Sequence, residues 1–120
     1  MPVIYTNPTP KQSLVQWVFD VAHKTGMQHI ENKPSVFGCG FAWLNIEATG
    51  VVASYLKLAG WVKVKGQRNT YRAFVSMDIG GQFVSTKIEY CKAFIGVVSD
   101  WVDTKEMNGF KRVWFDYQYD

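Results

Sequence analysis

The chain reads as one α+β domain, a helix followed by the order β-α-β-β-α-β, and three observations predict it. The stretches "TPKQSLVQWVFDVAHKTG" and "QFVSTKIEYCKAFIGVVSDWV" repeat their apolar residues at steps of three and four, the period of a helix. "FGCGFAWLNI", "TYRAFVSMDI" and "FKRVWFDYQY" alternate with the period of two that a strand requires. With 120 residues the chain can bury one core and not two. Residues 1–120 are therefore read as a single domain, with an N-terminal helix over 9–25 and a core over 36–119.

Thr9 is placed to cap the first helix, Pro10 suits its first turn, Gln12 stands three residues on, and Gly26 after His23 and Lys24 predicts its end. Leu14, Val18, Val21 and Ala22 form its apolar stripe, widened by Val15 and Trp17. "MQHIENKPS" is a connection ended by Pro34 and Ser35. In the next strand Phe37, Cys39, Phe41 and Trp43 share one parity, and Gly38, Gly40, Ala42, Leu44 and Ile46 the other. "TGVVASYLKLAG" predicts a short helix capped by Thr49 and stopped at Gly60.

"WVKVK" and "TYRAFVSMDI" should form a hairpin turned by "GQRN", with Tyr71, Ala73, Val75, Met77 and Ile79 opposed to Arg72, Phe74, Ser76 and Asp78. Gly80 and Gly81 break that strand before a long helix, about 30 Å at a rise of 1.5 Å per residue. Val84, Ile88, Cys91, Ile95, Val98 and Val102 make its main row, with Phe83, Tyr90, Phe94, Val97 and Trp101 beside it. The final strand sets Val113, Phe115, Tyr117 and Tyr119 against Arg112, Trp114, Asp116 and Gln118.

The β-α-β-β-α-β order is that of the ferredoxin-like, or split βαβ, motif. Right-handed crossovers put the first and third strands in the centre, the second and fourth at the edges, and both later helices on one face. Gly38, Gly40 and Ala42 would let helices come close to the first strand. Phe37, Phe41 and Trp43 would point to the opposite face, and what meets them is the main clue to function.

The aromatic share of 16%, with five Trp, exceeds what one small core ordinarily uses and hints at an interface. A net charge of +3 and a pI near 8.9 permit nucleic acid without demanding it. The opening "MPVIYTNPTPKQ" has no basic region followed by an apolar run, and no stretch approaches the roughly 18 apolar residues of a membrane span, so a cytoplasmic protein without membrane contact is expected. Two cysteines, Cys39 and Cys91, do not make a disulfide framework, and with His23 and His29 they lack zinc-ligand spacing; no metal or cofactor is expected.

Three readings of the aromatic face follow. The N-terminal helix could fold across it and bury the rings. It could instead meet a protein partner or a second copy, making a homo-oligomer. Or it could stack single-stranded nucleic acid, as RNA-recognition motifs of this topology do. "AWLNI" and "RAFVSM" are loosely similar to the strand signatures of that family, although Ala42 and Arg72 stand where it has stacking aromatics. Lys57, Lys63, Lys65, Arg68 and Arg72 would make a basic rim, though lysines on an edge strand also discourage edge pairing.

Catalysis has weaker support. Cys39 with His29 or His23 is a conceivable nucleophile and base, but a cysteine between Gly38 and Gly40 is more often a packed small side chain. Glu47 and Asp78, near the ends of the central strands, could hold a metal in a small nuclease, yet acidic residues beside turns are ordinary. Gly80 and Gly81 before a helix could bind an anion, and equally form a plain turn.

"CGFAWLNI", followed by a short helix and "YLKLAGW", resembles a group of small uncharacterised proteins of tailed bacteriophages that carry a Cys-Gly-Phe-Ala-Trp strand before a Leu-Lys helix. The resemblance covers residues 38–73, and "VWFDYQYD" is where this chain departs from it. It implies a protein that binds a host or phage macromolecule as inhibitor, regulator or virion component, and it carries over no catalytic residues. The expected interface is Phe37, Phe41, Trp43, Phe74 and Trp114, with Lys63, Lys65, Arg68 and Arg72 steering an acidic partner.

Overall fold

Thr9 starts the first helix as its sequence demands: its hydroxyl accepts from the Gln12 N–H at 3.1 Å, and its own N–H donates to Gln12 Oε1 at 2.9 Å. The structure, a computed structural model, describes residues 5–31, 38–76, 79 and 83–119. Its elements are α1 (Pro10–Ile30), β1 (Gly40–Ala48), α2 (Gly50–Leu58), β2 (Val62–Lys63), β3 (Thr70–Phe74), α3 (Val84–Ser99) and β4 (Phe110–Tyr119). The sheet order is β2-β3-β1-β4 with every pairing antiparallel, so the first and third strands are central, as expected.

Gly26 does not end α1. The helix runs on to Ile30 because Gly26 is buried beneath the Tyr90 ring of α3, where a Cβ would come within 2.6 Å of ring carbons. Its buried stripe is Val15, Val18, Phe19, Ala22 and Gly26, while Trp17 lies outside it with its ring 6.1 Å from that of Trp101. Phe19 stacks on Tyr55 of α2 at 4.6 Å and meets Phe94 and Phe110 at 6.1 and 5.7 Å. Thus α1 joins α2 and α3 on the helix side of the sheet. The reading in which α1 folds across the aromatic face is overturned: Phe19 belongs to the same core cluster as Ala42, Leu44 and Ile46.

Several elements are shorter than their patterns. β2 keeps two residues of "WVKVK" because the chain turns at once through Gly66 and Asn69, both at positive φ; the Val64 N–H still reaches the Thr70 carbonyl. β3 ends at Phe74, and Ile79 is buried in a turn whose N–H donates to the Ser76 carbonyl. α3 spans 16 residues, about 24 Å. Beyond Ser99 the Trp101 and Val102 N–H groups reach back only three residues, so the chain tightens and leaves the α-helix. Lys87, which belongs to neither apolar row, is buried in the stripe of α3 and donates from Nζ to the Gly40 carbonyl at 3.4 Å.

Gly38 and Gly40, just before and at the start of β1, answer to β4 more than to a helix. A Cβ on Gly40 would strike the Gln118 carbonyl and the Tyr119 backbone, and one on Gly38, which has φ +63°, would strike the Tyr119 ring. No described helix is long and apolar enough to cross a membrane.

Candidate interaction surface on the open sheet face

Strand parity builds this surface. Ala42, Leu44, Ile46 and Ala48 are buried toward the helices, so Phe41, Trp43, Asn45 and Glu47 face the other way. The register sets Trp43 beside Phe74 and Asp116, Asn45 beside Arg72 and Trp114, and Glu47 beside Arg112. Four of the five expected interface residues, Phe41, Trp43, Phe74 and Trp114, are therefore together on the side opposite the helices; Phe37 lies outside the described residues. Phe41 and Phe74 are 52% and 65% exposed.

The rings are held in place. Trp43 and Phe74 touch with centroids 5.6 Å apart, and each tryptophan lies under an arginine: Arg72 stands 5.2 Å from the Trp43 ring and Arg112 4.1 Å from the Trp114 ring. Asn45 ties the strands together. Arg72 Nε donates to Asn45 Oδ1, and Asn45 Nδ2 donates to Asp116 Oδ2, both at 3.1 Å, leaving the amide 1% exposed although it lies on the solvent side. Arg112 also reaches Glu47 at 3.7 Å. Among the described residues, Trp43 Nε1 is buried without an acceptor.

The expected basic rim divides. Lys63, Lys65 and Arg68 are exposed at β2 and its turn, whereas Arg72 is a central part of the face. A groove of about 680 Å³ joins the two, lined by Val62, Lys63, Lys65, Arg72 and Phe74 among others. Sequence reasoning missed Asn45, Arg112 and Asp116 as members of the face. Their parity with Trp43 and Trp114 was the signal. It also left Tyr117 and Tyr119 unassigned; their rings, 5.7 Å apart, stay exposed on the helix side.

The groups weighed for chemistry come from separate elements, Cys39 before β1, His23 and His29 in α1 and Glu47 in β1. Cys39 is exposed in a bridge to Phe83, while His23 Nδ1 and the Tyr90 hydroxyl share a 2.7 Å hydrogen bond between α1 and α3. Burial pushes the Tyr90 hydroxyl up, and pushes the Cys91 thiol up to about 12. Tyr55 is raised to about 12 as well, by burial first and then by the charge of Asp20. Glu47 has Arg112 beside it; Asp78, Gly80 and Gly81 lie outside the described residues. Among the described residues, no group of three or more His, Cys, Asp or Glu side chains could hold a metal ion. No protein-family model, curated protein or solved structure matches the chain.

Proposed function

We propose that the protein acts by binding, not by chemistry, and that it engages another protein through the open face of its sheet. The carrying observation is that Phe41 and Phe74 remain 52% and 65% exposed on the side opposite the helices. Exposed aromatic clusters of this kind mark interaction sites on soluble domains. Tryptophan and arginine dominate the energetic centres of protein interfaces, and rings already held under Arg72 and Arg112 lose little freedom when a partner arrives. Glu47 and Asp116 offset Arg72 and Arg112 on the face, which leaves no excess positive charge there for phosphate and favours a protein over nucleic acid. Lys63, Lys65 and Arg68 would steer an acidic partner.

The sheet order with two crossover helices supports reading the domain as ferredoxin-like with an added N-terminal helix. The likeness of "CGFAWLNI" to tailed-bacteriophage proteins points to a phage-encoded chain whose partner is a host or phage macromolecule. One observation favours a second reading: Trp43 and Phe74 adjoin on the two central strands, as a platform for stacking bases would.

Affinity capture with wild-type and Phe74→Ala chains, followed by titration of the purified partner, tests the proposal. The variant should lose about thirtyfold in affinity at unchanged melting temperature. Equal binding by the two chains overturns it. Titration with a single-stranded oligonucleotide at low salt separates the second reading, which requires binding that weakens steeply as salt rises.

A further inference from the structure

β4 is an edge strand, and among the described residues it pairs only with β1. The other edge, β2, is two residues long, contains Lys63 and is followed by Lys65, the usual protection against stray pairing. β4 runs for ten residues without proline or glycine. A register shift opposite Glu47 and Ala48 interrupts it near Lys111, and from Arg112 to Tyr119 the register is unbroken.

Its free backbone groups follow from β1. The Ala48 N–H and Ala42 carbonyl bond toward the β3 side, to Asn69 and Val75, so even-numbered β1 residues serve β3 and odd-numbered ones serve β4. The partners of the odd residues are Arg112, Trp114, Asp116 and Gln118. The N–H and C=O groups of Val113, Phe115 and Tyr117 are thus turned outward.

We propose that this edge pairs antiparallel with β4 of a second copy, about a twofold axis through Trp114. In that register Val113 opposes Phe115 of the second copy as a hydrogen-bonded pair, using the backbone groups that face outward. Trp114 meets its own mate, and Arg112 opposes Asp116 twice, at the closer, non-hydrogen-bonded positions where charges interact most strongly. Neighbouring registers lose this match. An axis through Val113 sets Arg112 against Trp114, and one through Phe115 sets Arg112 against Gln118.

The product is a continuous sheet of eight strands, four from each copy, with both open faces on the same side. The pairing does not rest on the open face binding anything, so the two readings fail separately.

Sedimentation equilibrium at about 100 μM, within the usual range for a modest interface, should give twice the 13.7 kDa of the chain. Arg112→Asp and Asp116→Arg each set like charges opposite one another and should weaken dimerisation about tenfold. The first variant presents only carboxylates at these positions and the second only guanidiniums, so an equimolar mixture should recover the dimer. Amide exchange at Val113 and Phe115 in the wild-type chain should also slow as concentration rises. A wild-type mass of 13.7 kDa, a mixture that assembles no better than its components, or exchange rates independent of concentration would overturn the proposal.

Discussion

Asn45 shows how a single polar residue organises the open face. Its amide links Arg72 on β3 to Asp116 on β4, and it orients the arginine that lies over Trp43. Asn45→Leu keeps the branched shape and removes both bonds to charged groups, so it should lower stability by about 1–3 kcal/mol in chemical denaturation. The same change should loosen Arg72 and weaken partner binding. This organisation was partly legible. Alternation in "FAWLNIE" placed Asn45 beside Trp43, but which groups would cross from neighbouring strands depended on register, and register emerges only when the sheet assembles. Arg72 depends on register in the same way: alternation set it beside Phe74, and its bond to Asn45 draws it to the centre of the face.

At the scale of elements, α1 is part of the core. Phe19 is buried among Tyr55, Trp61, Phe94 and Phe110, so Phe19→Ala should cost about 3–5 kcal/mol in denaturant unfolding. A loss under 1 kcal/mol would mean that α1 is only loosely attached. The start of α1 was plain from Thr9, Pro10 and Gln12, whereas its end was not, because a glycine that stops a helix and a glycine packed beneath a tyrosine are the same letter. β4 was legible over its whole length, since ten residues alternate with no breaker. β2 and β3 fell short of their patterns where turn geometry ended them early. The row of Val84, Ile88 and Cys91 identified α3 but did not include Lys87, whose buried amine donates to the Gly40 carbonyl.

For the whole molecule, the buried weak acids set a prediction for alkaline pH. Folding raises Cys91 from its usual 9.0 to about 12 and Tyr55 from 10.0 to about 12, so both stay protonated in the native state after the unfolded chain has ionised. The unfolded chain then binds fewer protons, and stability falls as pH rises. The melting temperature should hold below pH 9 and drop progressively between pH 9 and 12, with a shallower slope in Tyr55→Phe. The molecule keeps its helices on one side of the sheet and leaves aromatic side chains open on the other. Hydroxyl-radical labelling of the wild-type chain, read by mass spectrometry, tests this arrangement most directly. Phe41 and Phe74 should be oxidised readily while Phe19 and Phe94 are protected. Protection of Phe41 and Phe74 to the level of Phe19 would contradict it, because the face would then be closed.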